Sequence, residues 1–198
     1  MFDEHENRPQ LKLTIEIRKP VYAQDRTVRD AIPRKLWNAV RQLVHEENGF
    51  QCEICGGGDE TSLHAHEVWE YDEEQFVLIL EEIQSLCKLC HDLKHFHHAV
   101  LRIQDRRVRE FVMRKLKKHF MKVNECTEKE FQRHYLNQLA KSDESPAERS
   151  LEDMLERKEE MQREAFLLRQ DWRFSVGDEV PYKEEIESSL ADKGLLFE

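Results

Sequence analysis

Leu11, Leu13, Ile15 and Ile17 alternate with Lys12, Thr14 and Glu16. That period of two predicts a half-buried strand, closed by Lys19-Pro20. The period then lengthens. Leu36, Trp37, Val40, Leu43 and Val44 fall on one face of a helix over residues 34–47. Pro33 suits its first turn and Asn48-Gly49 its stop. Residues 63–69 alternate irregularly and fit a short strand, with Asp72-Glu73-Glu74 as a polar turn. Residues 76–83 are apolar but interrupted by Glu81-Glu82, so helix and strand both stay open there.

From Cys90 onward the pattern is helical. Val108, Phe111, Val112, Leu116 and Phe120 make the apolar stripe of an amphipathic helix over residues 106–123. Thr127 followed by Glu130 is a capping box and opens another helix, which runs to about Leu139. Residues 142–146 break the pattern and are the best linker. Ser145 and Glu148 form a second capping box ahead of the stripe Leu151, Met154, Leu155, Met161, Ala165 and Leu168. The last 28 residues hold Trp172, Phe174, Val176, Val180 and Tyr182, which predict a small strand or turn that docks on something. The fold class expected is α+β and mainly helical.

Composition adds two constraints. Charged residues make up 36% of the 198 and apolar residues 39%, a balance that favours long solvated helices. No run approaches the roughly 20 apolar residues of a membrane span. Residues 1–6 are acidic and lack the basic and apolar regions of a signal peptide. A cytoplasmic protein with reduced thiols is therefore expected. The formal net charge of −10 is unevenly spread. Residues 94–122 carry ten Lys and Arg against Asp105 and Glu110, whereas residues 143–198 carry seventeen acidic against eight basic residues.

Chemistry concentrates in residues 52–95. Four of the five cysteines form two C-x-x-C pairs, Cys52 with Cys55 and Cys87 with Cys90, separated by 31 residues. Two such knuckles place four thiolates around one tetrahedral Zn²⁺, a closed and therefore structural site. Cys126 stands apart and reads as a small buried apolar residue. His91 and His95 are one helical turn apart on one face. His66 lies on the segment that the staple folds back, so the three imidazoles could converge on a second, catalytic divalent ion with open positions.

The arrangement of Cys52-x-x-Cys55, a strand carrying His66-Glu67-Val68, then Leu86-Cys87-x-x-Cys90-His91-x-x-x-His95 resembles the HNH endonuclease family. The resemblance covers about residues 33–98. It implies a small zinc-stapled ββα-metal core with flanking amphipathic helices, and hydrolysis of DNA phosphodiester bonds, in bacterial or phage DNA defence or processing. It also implies that His66, His91 and His95 hold a catalytic ion such as Mg²⁺, Mn²⁺ or Ni²⁺. The family's base position falls on Glu67. A one-residue shift makes His66 the base instead, and His64, two residues earlier on the same strand face, is a further choice. The family's middle Asn has no counterpart, because no Asn occurs between residues 49 and 123.

On this reading residues 1–32 are an N-terminal strand segment, 33–123 the core with its basic helix, and 124–198 an acidic helical extension. Lys94, Arg102, Arg106, Arg107, Lys117 and Lys118 form a phosphate track that sets affinity and position. The extension either folds over the basic face, docks a protein partner or belongs to the core. The runner-up function is a non-catalytic zinc-stapled module that binds nucleic acid or a protein.

Overall fold

The computed structural model describes residues 11–16, 19–58, 62–141 and 151–197. The fold is α+β and mainly helical, with one three-stranded sheet of order β1-β2-β3. Helices α1 (Val28–Ala31) and α2 (Arg34–Glu47) precede strands β1 (Leu63–Asp72) and β2 (Val77–Cys87). Then come α3 (Lys88–Lys94), α4 (Arg106–Asn124), α5 (Glu128–Lys141), α6 (Leu151–Leu167), β3 (Arg173–Val176) and α7 (Lys183–Ala191). The chain divides into two compact units, residues 1–18 with 89–144 and residues 19–88 with 145–198.

The unit of residues 19–88 and 145–198 is built on the β1–β2 hairpin. The strands pair antiparallel from Leu63 opposite Cys87 to Asp72 opposite Val77. Asp72 Oδ1 closes the turn by accepting from the backbone N–H groups of Glu74 and Gln75, both at 2.9 Å. The register shifts after Val68, where Glu81 has no partner on β1. This bulge explains why residues 76–83 read ambiguously. Glu81 bulges out exposed between buried Leu80 and buried Ile83, and strand parity resumes beyond it.

Strand β3 adds in parallel to the first half of β2, with Val77 opposite Arg173 and Leu80 opposite Val176. Central strand β2 is thus hydrogen-bonded along both edges, and its Val77, Leu78 and Leu80 are all buried. The core gathers Trp37, Val40 and Val44 of α2 with Leu78, Leu80 and Ile83 of β2. Leu167, Trp172, Phe174, Val176, Val180, Ile186 and Leu190 complete it. Tyr22 stacks on Trp172 with ring centroids 4.2 Å apart. Its hydroxyl donates to Glu73 at 2.6 Å, and burial together with that carboxylate holds the phenol well above its ordinary range.

Gly177 follows β3 where two backbones nearly touch. Its N–H donates to Leu80 O at 2.8 Å, and a Cβ at this position would meet Glu81 O at 2.7 Å and Leu80 O at 3.0 Å. Both obstacles are main chain at the bulge, so the β2–β3 pairing has to give way. Gly177→Ala is expected to destabilise by about 1–3 kcal/mol, as overpacking does. For a chain of this size that lowers the melting temperature by roughly 2–12 °C. A melt equal to wild type would show that the backbone moves aside without cost.

The last residues depart from expectation. Besides β3 they form α7, whose Ile186 and Leu190 are fully buried. The helix ends at Ala191, and Gly194, φ +66°, turns the chain back so that Leu195 N–H donates to Leu190 O at 2.9 Å. The stripe expected on α6 also fails in part. Leu155, Met161 and Leu168 are exposed, while Leu167 is buried. At the C-terminal end of this highly charged helix Phe166 meets Phe76 with ring centroids 6.0 Å apart, and the side chains of Leu151 and Met154 lie outside the described residues. The second capping box and the linker at 142–146 lie outside the described residues.

In the unit of residues 1–18 and 89–144, α4 and α5 match their predicted spans. Asp105 caps α4 by accepting from the N–H groups of Arg107 and Val108. The box at Thr127 and Glu130 closes in both directions, at 2.7 and 3.3 Å. The expected strand over residues 11–17 is a correction. Its described part, residues 11–16, bends at Lys12 and Leu13 and joins no sheet, although Leu13 and Ile15 are fully buried. Its backbone bonds go elsewhere. Asn124 brackets Leu13, accepting from its N–H and donating to its carbonyl. His134 Nε2 accepts from Ile15 N–H at 2.9 Å. Glu16 exchanges bonds with Leu93 O and Phe96 N. Alternating burial needs an apolar interior, and in this unit Phe96, Leu116, Phe120 and Phe131 are buried as well; it does not need a neighbouring strand as long as the backbone groups find other partners.

Candidate metal centre

Helix α2 ends at Asn48 and Gly49, and the chain turns directly into the first knuckle. Cys52 N–H donates to Gly57 O at 2.9 Å, and Gly56 N–H donates to Cys52 O at 2.8 Å. Gly56 and Gly58 take positive φ, +68° and +113°, a conformation that glycine accepts without Cβ strain. Glu53 fixes the knuckle to β2. Its N–H donates to Ser85 O at 2.9 Å, while its carboxylate accepts from Ser85 N–H and from Asn48 Nδ2. Cys87 ends β2, and Cys90 sits in the first turn of α3, which opens two residues earlier than expected.

The sulfurs of Cys52, Cys55, Cys87 and Cys90 all lie within 4.8 Å of one another. Cys55 Sγ and Cys87 Sγ are 3.6 Å apart, far beyond a disulfide bond of about 2.05 Å. A tetrahedron with metal–sulfur bonds of about 2.3 Å has edges of about 3.8 Å. Cys52, Cys87 and Cys90 are buried and Cys55 is half-buried. Burial and the adjacent thiols push the Cys55 thiol up to about 11. Four thiolates crowded here therefore need a cation to coexist at neutral pH, and a metal such as zinc fits the donor set. Cys126 is not part of the cluster.

Two histidines near the knuckles escaped the sequence reading. His119 of α4 places Nε2 3.1 Å from Cys90 Sγ, where it can hold that sulfur in place. No pattern within residues 52–95 signals a contact from 29 positions downstream. Buried His45 of α2 sets Nδ1 2.8 Å from the hydroxyl of Ser85, and burial lowers its pKa. It pins α2 to β2 beside the first knuckle; nothing in its spacing distinguishes it from a surface residue at a helix end.

His66, His91 and His95 form a second group whose ring nitrogens lie within 4.8 Å of one another. His66 is 4% exposed, and the rings of His91 and His95 meet edge to face at 4.5 Å. Glu67 is not in this group. On β1 it shares a face with Ala65, Trp69 and Tyr71, which pack on the core. Its carboxylate accepts from Arg29 N–H at 2.9 Å, and burial raises its pKa. His64 is exposed and lies on the same strand face as His66.

Of the six basic residues expected on a phosphate track, three are engaged within the protein. Lys94 Nζ donates to Glu16 at 2.6 Å and to Thr14 at 3.0 Å. Arg106 pairs with Glu110 at 2.7 Å and Lys117 with Glu128 at 2.6 Å. Arg102, Arg107 and Lys118 are exposed. Among the described residues no helix is long and apolar enough to cross a membrane. No family model, curated protein or solved structure matches the chain.

Proposed function

We propose that this protein is a metal-dependent endonuclease of HNH type that hydrolyses DNA phosphodiester bonds. The observation that carries the reading is the juxtaposition of two kinds of site in one short stretch. Four sulfurs make a closed set suited to structural zinc, and the grouped nitrogens of His66, His91 and His95 make a three-ligand set with positions to spare. A divalent ion bound there supplies Lewis-acid stabilisation of a phosphate oxygen. The imidazoles orient that centre, and the turn in which His95 N–H donates to His91 O at 3.0 Å keeps their spacing. With Glu67 held by Arg29 N–H, His64 is the base that β1 presents beside His66, where it takes a proton from the attacking water.

Purified protein is expected to nick supercoiled plasmid only when Mg²⁺, Mn²⁺ or Ni²⁺ is added. His91→Ala and His95→Ala should bring nicking to background with the zinc content and circular dichroism unchanged. Undiminished nicking by the double variant would rule the site out. The second reading, a zinc-stapled module that binds without cutting, is favoured by the engagement of Glu67 away from the histidines. DNA binding without nicking under any divalent ion would establish it.

A further inference from the structure

The apolar stripe of α4 is used over only half its length. Leu116 and Phe120 are buried, but Val108 is 49% and Phe111 61% exposed. At 100° per residue, Phe111 points away from the Leu116 side, and the helix surrounds it with cations. Arg107 lies four positions before it, Arg114 three after, Lys115 four after and Lys118 seven after; Lys122 continues the line. Arg107, Arg114 and Lys118 flank Phe111 on one side of this outward face, and Lys115 and Lys122 on the other. All five are exposed, and none forms an ion pair with a described residue. The only acid within α4, Glu110, is tied to Arg106 off this face.

Val108 and Phe111 form a continuous exposed apolar strip, three positions apart on the helix and bordered by unpaired cations, and contiguous exposed apolar surface of this kind marks interaction sites. The same face on a second copy would set five cations against five, which opposes self-association. A polyanion with an apolar feature between two lines of charge is complementary to it. The major groove of duplex DNA is such a surface, with phosphates along both walls, thymine methyls on its floor, and a width of about 12 Å that admits a helix. At 19 residues α4 is roughly 28 Å long, enough to follow the groove across all five cations.

We propose that the outward face of α4 binds duplex DNA in the major groove, with Arg107, Arg114, Lys115, Lys118 and Lys122 on phosphates and Phe111 against thymine methyl groups. The proposal deepens the nuclease reading by assigning the substrate a docking element. Its test nevertheless needs no divalent ion and no cleavage.

The full chain is titrated by fluorescence anisotropy against a duplex two helical turns long, over a range of salt and with no divalent ion. Replacing all five cations by Gln should flatten the plot of log affinity against log salt by about 4–5, at roughly 0.9 per phosphate contact. Phe111→Ala should keep the wild-type slope and bind about tenfold more weakly. Wild type should lose the same factor on a duplex with uracil in place of thymine, while Phe111→Ala binds the two duplexes alike. Both changes are at exposed positions, and retained zinc content and melting temperature verify the fold. An unaltered slope in the five-fold variant, or indifference of wild type to the thymine methyl, overturns the proposal. A change of oligomeric state in Phe111→Ala with DNA affinity untouched would instead make the face a protein interface and also overturn it. Failure to nick plasmid with these binding results intact would defeat only the nuclease reading.

Discussion

Cys87→Ser is expected to yield protein that retains no stoichiometric zinc and has lost its tertiary structure over residues 52–95. The loss should exceed that of any single core truncation. Cys87 joins the end of β2 to the first turn of α3, and its sulfur lies 3.6 Å from that of Cys55. A hydroxyl there leaves three thiols, one of them already pushed up to about 11 by burial and its neighbours, around a metal that prefers four sulfur ligands. Structural zinc contributes about 10–16 kcal/mol in small zinc-folded peptides, as much as the whole net stability of an ordinary domain, about 5–15 kcal/mol. Elemental analysis, near-ultraviolet circular dichroism and limited proteolysis read the effect. Cys126→Ser is the control and should behave as wild type, since Cys126 lies outside the cluster. Wild-type protein that contains no zinc when purified without chelators, or Cys87→Ser that keeps both metal and fold, would refute the assignment.

What the sequence made legible was whatever local spacing determines. The knuckles and the i,i+4 histidine pair fall within one stretch, and the helices at Leu36–Val44 positions and at Val108–Phe120 positions carry repeating stripes with capping residues at their ends. The rest depends on partners far away in the chain. Glu81 looked like a break in residues 76–83 because a bulge residue carries no face preference. Leu13 and Ile15 alternate like a strand, yet their backbone partners are Asn124 and His134, more than a hundred positions away. Helix α7 was missed although its signals were present: Glu184 and Glu185 in the first turn, Ile186 and Leu190 four apart, and Gly194 just past the end. Two apolar positions were too few to outweigh the surrounding polar residues. The direction of Glu67 was legible in principle, since it shares the parity of Ala65, Trp69 and Tyr71. Aligning it by motif alone placed it at the site, whereas strand parity turns it to the core.

Deleting residues 143–198 is expected to leave insoluble protein. Charge alone argues the opposite: an acidic block of seventeen carboxylates against eight cations looks like a removable cover for a basic stretch. On that view the truncated chain stays folded and binds DNA more tightly, most of all at low salt where screening is least. The packing of the segment decides against it. Leu167, Trp172, Phe174, Val176, Val180, Ile186 and Leu190 are all core residues of the sheet-bearing unit. At about 1.5–3 kcal/mol for each buried side chain, their removal costs on the order of 10–20 kcal/mol, which is more than a domain of this size has to lose. The deletion also strips β3 from the edge of β2, leaving Val77, Leu78, Ile79 and Leu80 as an uncovered apolar strand, the kind of edge that recruits other chains. Exposed ion pairs, each worth about 0–1 kcal/mol, offer no comparable force to hold a detachable tail. Expression followed by sedimentation of the truncated chain separates the two outcomes. A soluble monomer that keeps the helix content of α1 to α5, binding DNA more tightly as salt falls, would mean that the core of this unit is complete without β3 and α7.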